Sequence, residues 1–452
     1  MGERSRSTGS VPAAVHRAVR RPIGRSAAGR GATGGWGYAP PVDRGFRFAV
    51  GIEDTFVPHA FPGQRALDEY ELTQHDRCWS ADLGLAAEAG ATAIRYGFPW
   101  YRLNPSPGRF VWDWADRVVD RLDELGLEAI VDLVHYGTPL WLRDAFLAAD
   151  FPARLAEFAA ALAERYRGRL GTWTPMNEPQ ITAMHCGEQG RWPPRLTGHD
   201  GYLRLVRAIV RGVVAAQRAI AETSGGQASF VHVEASFRYV GETDAFAAEV
   251  ELLAARRFLI QDLLCGRVDD AHPLAAYLRR HGFGDDDLAW SAANQAVPDV
   301  LGVNYYPHLT TIEYRAGEVL PVERRPRRDD GTAGLEEVLR AFAARYRCPL
   351  MLTETSVLGA VEQRLAWLDA SMELVAGLRD RGVEIVGYTW WPLFDLVAWD
   401  YREAVGPVGE HLVRMGLYDL EPDEAGTLHR RRTPVADRFR SWTRSNRFAR
   451  NS

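Results

Sequence analysis

The chain contains no lysine; its 54 strongly basic residues are all arginine. That excludes a lysine Schiff base and a lysine nucleophile. Cysteine is scarce as well. Cys78, Cys186, Cys265 and Cys348 lie far apart and form no Cys-x-x-Cys pair. So few cysteines in so long a chain argue against a secreted disulfide framework, and they read as reduced thiols of a cytoplasmic protein. No apolar run reaches the roughly 18 residues that a membrane span needs, so no membrane partner is expected. The 12 histidines are scattered, with no His-Glu-x-x-His pair and no cluster of zinc spacing. Neither a metal nor another cofactor is therefore expected. A Gly-x-Ser-x-Gly elbow is absent, which removes the usual serine-hydrolase signal. The formal net charge of −5 carries no basic signature for nucleic acid.

What remains is an ordinary globular composition, 46% apolar and 25% charged over 452 residues. A chain of this size builds its core without disulfides or structural metal. The first 45 residues differ from the rest: eight arginines stand against only Glu3 and Asp43, amid Gly, Ala, Ser and Pro. They read as a disordered tail. Arg20-Arg21 lacks the apolar segment of a twin-arginine signal. Gly29-x-Gly31-x-x-Gly34 matches a dinucleotide pattern formally, with no strand before it and no helix after it. Residues 446–452 read as a short C-terminal tail.

Between them, residues 46–445 alternate short apolar runs with longer helical ones. The candidate strands are 46–52, 91–98, 127–134, 171–176, 228–234, 299–305, 349–353 and 383–390. They are rich in β-branched and aromatic residues and mostly lack strict alternation, as strands buried on both faces do. Between the second and third, Trp114, Val118, Leu122 and Leu125 recur at helical spacing, and Gly126 ends the stripe. Between the third and fourth, Leu155, Phe158, Leu162 and Tyr166 do the same before Gly168. Eight strands with intervening helices predict an α/β fold, a single-domain (β/α)8 TIM barrel, preceded by the tail.

Such a barrel places its chemistry at the carboxyl ends of the strands. Two glutamates stand there. Glu178 follows the fourth candidate strand in Trp173-Thr-Pro-Met-Asn177-Glu178-Pro179, and Glu354 follows the seventh in Leu352-Thr353-Glu354-Thr355. One such glutamate alone is more simply a rim residue paired with an arginine. Two facing carboxylates are the minimum apparatus for glycoside hydrolysis, one as acid and one as nucleophile or base. An ionised Glu354 raises the pKa of Glu178 and keeps it a usable acid.

In these motifs the sequence resembles glycoside hydrolase family 1, the β-glucosidases, β-galactosidases and their 6-phospho relatives. The resemblance runs in order through most of residues 46–445. Thr174 and Asn177-Glu178-Pro179 match the fourth-strand motif with one extra residue, and Thr353-Glu354 matches part of the seventh-strand motif. Arg95, His135, Asn304-Tyr305-Tyr306, the stretch Gly387 to Asp395 and Arg414-Met415-Gly416-Leu417 fall where the family has equivalents. The resemblance implies a retaining β-glycosidase with Glu178 as acid/base, Glu354 as nucleophile and a carbohydrate or glycoside as its substrate partner. It also implies that Asn177 bonds the sugar 2-hydroxyl and that Arg95 and Tyr306 hold Glu354 ionised. His135 is then a hydroxyl ligand and Trp391 the floor on which a pyranose stacks, with Asn304 and Trp399 in the same binding set.

The departures are as specific. The family's first-strand Gln is missing from Gly51-Ile52-Glu53-Asp54, its Glu after strand eight is Ala398 in Val397-Ala398-Trp399, and Tyr136 stands where Trp is usual beside His135. Groups around the reacting carbon match; groups around the far hydroxyls do not. Glu53, Asp54 and Asp400 are candidates for the replaced hydroxyl contacts, and alternation allows only one of Glu53 and Asp54 to face the lumen. Arg402 is the basic residue nearest after Asp395, the place of the phosphate-binding cation in the 6-phospho branch. The same residues also suit a transglycosylase or another barrel-clan glycosidase, and a non-catalytic sugar-binding barrel is the reading of a different class. Oligomeric state leaves no mark in the sequence.

Overall fold

The computed structural model describes residues 45–58, 64–318, 320 and 322–449. The expected N-terminal tail, apart from Gly45, lies outside the described residues, as does the end of the chain beyond Ala449.

Each of the eight apolar runs forms a strand. They are β1 (Arg47–Gly51), β2 (Ala93–Gly97), β3 (Glu128–Asp132), β4 (Thr172–Thr174), β5 (Ser229–Ala235), β6 (Val300–Asn304), β7 (Leu350–Thr355) and β8 (Ile385–Trp390). All pair in parallel with their sequence neighbours, and β8 closes on β1 through Arg47–Gly387 to Val50–Trp390, so the sheet is a closed eight-stranded barrel. The principal helices around it are α1 (His75–Glu88), α2 (Asp113–Leu125), α3 (Phe151–Arg165), α4 (Gly198–Thr223), α5 (Leu259–Leu264), α6 (Gly331–Tyr346), α7 (Val361–Asp380) and α8 (Pro434–Thr443). In α2 the stripe Val118 and Leu122 is buried as its spacing requires, and Gly126 takes the left-handed C-cap at φ 65°.

The core has two layers. Ala49, Ala93, Ile130, Val231, Val233, Val300 and Met351 fill the barrel interior, and the larger cluster lies between strands and helices. Two-residue periodicity then aims the strand ends. Arg95 and Asp132 lie two residues beyond the inward Ala93 and Ile130, so they also point into the barrel. Aromatics pack on the outer face of the start of β1, in the layer between strands and helices. Phe448 stacks on Phe46 at 4.2 Å between centroids and meets Phe48 edge-on at 5.3 Å. Phe448, within the expected C-terminal tail of 446–452, is thus buried in the core.

Candidate active site

A cavity of about 490 Å3 opens at the carboxyl ends of the strands, the range typical of small-molecule sites. Glu178 and Glu354 both line it, with His135, Tyr136, Asn304, Tyr306, Glu53 and Trp399. Local backbone aims the two glutamates. Glu178 follows β4 and precedes Pro179, which opens the short helix Pro179–Ala183; its backbone is left-handed at φ 39° and its N–H donates to Val233 O at 3.1 Å. Tyr136 is likewise left-handed at φ 87°. Non-glycine residues in that region are strained and persist where packing over-determines them. Glu354 depends on an irregularity of β7. Leu352 pairs with Val303 and Glu354 with the next residue, Asn304, so β7 carries an extra residue there. That bulge turns Glu354 into the lumen, where strict alternation from the inward Met351 sends it outward.

Each glutamate has its own set of donors. Arg95 Nη1 donates to Glu354 Oε1 at 2.6 Å and Tyr306 OH donates to Oε2 at 2.7 Å. Tyr136 OH donates to Glu178 Oε2, and Asn304 Nδ2 donates to Oε1 at 2.9 Å. Arg95 is wholly buried and also reaches Asp132 Oδ2 at 2.6 Å and Asn177 Oδ1 at 2.8 Å. Burial opposes its charge, and the carboxylates of Asp132 and Glu354 outweigh that effect. Burial raises the pKa of both glutamates; Arg95 pulls Glu354 down, the charge of Glu178 pushes it up, and Tyr136 and Asn304 pull Glu178 down. The cation bonds directly to Glu354, which favours the negative charge of the pair there over Glu178.

The third-strand histidine is held from both sides. Its Nδ1 meets Asp54 Oδ1 at 2.6 Å, and Asn177 Nδ2, turned by the Arg95 bond, faces its Nε2 at 2.8 Å. Burial lowers the His135 pKa, but Asp54, Glu53 and Asp132 together push it up to about 10. Asp54, Asp132 and His135 are the one group among the described residues with metal-ligand proximity. They do not suit a cation. Asp132 is already paired with the Arg95 guanidinium, and His135 Nδ1 already lies at ion-pair distance, 2.6 Å, from Asp54.

Several expected positions resolve differently. Of the adjacent acids on the first strand's extension, Glu53 lines the cavity and Asp54 sits behind His135, packed on Gly97. Asp54 thus acts on the ring, and Glu53 is the carboxylate open to a ligand. Glu53 Oε2 accepts from Trp391 Nε1 at 3.0 Å, and Oε1 from the Thr55 N–H at 3.1 Å. Trp391, expected as a stacking floor, is only 1% exposed; its ring lies 4.6 Å from the Arg95 guanidinium carbon and 5.6 Å from the His135 ring. Those groups and β1 cover the indole and make it packing for the charged residues. Trp399 keeps an open face on the cavity, edge-on to Tyr136 at 5.4 Å and to Trp192 at 5.5 Å. Arg95 and Asn177 stand behind the wall and act through Glu354 and His135. Asp400 lies at the mouth. Arg402 does not line the cavity; its Nη2 donates to Pro58 O at 2.8 Å and Gln64 Oε1 at 3.2 Å.

Sequence reasoning missed Asp132 and Glu234. Both are buried carboxylates at strand ends, and an acid closing an apolar run was the available signal. Glu234 Oε1 accepts from the N–H groups of Gln180 and Ala235 at 3.2 and 2.9 Å, which braces the turn carrying Glu178. His185, Arg191 and Arg327, which line the outer cavity, carried no motif at all.

Comparison with known proteins matches this arrangement to a family. The glycosyl hydrolase family 1 model matches residues 52–406. The chain is 27% identical over 390 residues to thermostable β-glucosidase B of Thermobispora bispora, covering 76% of each. It is 24% identical to a 6-phospho-β-glucosidase of Dickeya chrysanthemi, over 82% of this chain and 85% of that one. Its fold is similar to that of the family 1 β-glucosidase of Thermotoga maritima, with a TM-score of 0.72 at 18% identity over 88% of this chain and 97% of the other. The chain belongs to glycosyl hydrolase family 1.

Proposed function

We propose that the protein is a retaining β-glycosidase of β-glucosidase type, with Glu354 as nucleophile and Glu178 as acid/base. The observation that carries this reading is the asymmetry of the two carboxylates in one cavity: Arg95 bonds Glu354, and only neutral donors bond Glu178. An ionised Glu354 attacks the anomeric carbon while Glu178 donates its proton to the departing oxygen. Glu178 then deprotonates the water that releases the sugar. Asn177, expected at the sugar 2-hydroxyl, is held between Arg95 and His135 behind the wall and orients both. Glu53 and His135 take the far hydroxyls, with Glu53 replacing the family's glutamine. A neutral glycone fits better than a 6-phosphorylated one, since the Arg402 guanidinium is engaged with Pro58 and Gln64. Four cysteines without a disulfide agree with a cytoplasmic location.

The test is hydrolysis of a panel of aryl β-glycosides by wild type and Glu354→Gly, with and without azide. Expected are turnover by wild type, a loss of about 10^4-fold or more in the variant, and rescue by azide that yields a glycosyl azide of inverted anomeric configuration. Rescue at Glu178 in place of Glu354 would reverse the two roles. No turnover of any glycoside, with a sugar still protecting the fold against heat, would favour the sugar-binding barrel.

A further inference from the structure

The cavity changes character outside the two carboxylates. Its inner end is acidic, lined by Glu53, Glu178 and Glu354; its outer part carries two arginines, Arg191 and Arg327, and one carboxylate, Asp400. Arg191 comes from the segment after β4 and is exposed. Its one side-chain polar contact among the described residues is Nη1 to His185 Nδ1 at 3.5 Å, and no carboxylate there lies within ion-pair distance of it. Arg327 comes from the segment after β6 and lies 5.9 Å from the Phe237 ring, another cavity residue.

His185 reports the field between them. Burial, then Arg191 and, more weakly, Arg327 push its pKa down to about 3, so the imidazole stays neutral. A glycone seated among Glu53, His135 and Glu354 directs its leaving group past Glu178 toward this wall. Guanidinium groups on a cavity wall recognise carboxylate and phosphate by paired hydrogen bonds and draw anions in from solution.

We infer that the leaving-group half of the cavity binds an anionic aglycone, one bearing a carboxylate or a phosphate, through Arg191 and Arg327. This rests on the β-glycosidase reading and assigns a substrate class to the part of the site distant from the sugar. It differs from recognition of a 6-phosphorylated sugar, because the cations face the departing group.

The test compares the 4-carboxyphenyl and 4-carbamoylphenyl β-glycosides of one sugar, which differ in charge at nearly constant shape. A third substrate bearing a phosphate at the same ring position separates the two anions. Wild type should prefer the carboxylate over the carboxamide by about tenfold in kcat/KM at low salt, chiefly through KM, with the preference shrinking as salt rises. Arg191→Gln should bring the ratio within about twofold of unity, and Arg191→Lys should retain part of it. A larger preference for the phosphate substrate would name phosphate as the anion. A ratio near one in wild type, or one that Arg191→Gln leaves unmoved, overturns the inference; turnover of the carboxamide in that case leaves the hydrolase reading standing. If no glycoside is cleaved, thermal protection by 4-hydroxybenzoate but not 4-hydroxybenzamide, lost in Arg191→Gln, keeps the anion site and ends the hydrolase reading. Equal protection by the two, or none, overturns the anion site.

Discussion

Tyr136 touches one of the two cavity glutamates directly. Its hydroxyl donates to Glu178, and burial and that bond act oppositely on the carboxyl: burial raises the pKa and the donor lowers it. Removing the donor in Tyr136→Phe therefore raises the Glu178 pKa further. With Glu178 as the proposed acid, active when protonated, the alkaline limb of the kcat/KM profile should move upward, by about one pH unit for one hydrogen bond to a buried carboxylate. An unmoved limb in a pH-rate series would show that Tyr136 does not tune the acid. Arg95 illustrates a second residue-scale point. A wholly buried guanidinium is tolerated because Asp132 and Glu354 both pair with it, and truncating either partner leaves charge uncompensated in the barrel.

Among the elements, β1 and β7 do most to shape the cavity. Gly51 ends β1 where the Trp391 ring presses on the strand; a Cβ there would lie 1.8 Å from Trp391 Cε3. The ring has nowhere to retreat, because Glu53, Arg95 and His135 hold it. Gly51→Ala should therefore cost about 1–3 kcal/mol by overpacking, seen as a lower midpoint in urea unfolding. It should also raise KM, since the same ring supports Glu53 and His135. A variant with unchanged midpoint and KM would mean that the indole is looser than its contacts indicate. The bulge in β7 has the same standing: one extra residue opposite Asn304 decides which way Glu354 points.

For the molecule as a whole, the two ends of the barrel do separate jobs. The cavity end carries strained backbone, buried charge and polar side chains. Near the opposite end, Phe448 from the end of the described chain packs on Phe46 and Phe48 at the start of β1. Phe448 is 3% exposed, so Phe448→Ala should cost about 3–5 kcal/mol of stability. Activity per folded molecule should not change, because the ring is at the other end from Glu178 and Glu354. Calorimetry together with active-site titration checks both parts, and a fall in kcat at constant folded fraction would contradict this division. Among the described residues no helix is long and apolar enough to cross a membrane.

The barrel was legible in the sequence because parallel strands buried on both faces are unbroken apolar runs, and their ends mark the catalytic rim. The glutamates at positions 178 and 354 stood out because the residues around them match family motifs, whereas Asp132 and Glu234, which also close apolar runs, stand in none. Helix stripes such as Val118 and Leu122, with Gly126 as cap, were equally local signals. What remained hidden depended on contacts between distant segments. Periodicity did not decide between Glu53 and Asp54, since the chain leaves regular strand geometry after Gly51; packing against His135 and Trp391 did. Trp391 read as an open aromatic floor until Arg95 and His135, from two other strands, covered it. Arg191 carried no motif because an arginine gains meaning there only from the wall it shares and from the absence, among the described residues, of a carboxylate within ion-pair distance of it. Local sequence determined which residues form strands, helices and rim; closure of the barrel decided which side chains meet, because that turns on three-dimensional proximity.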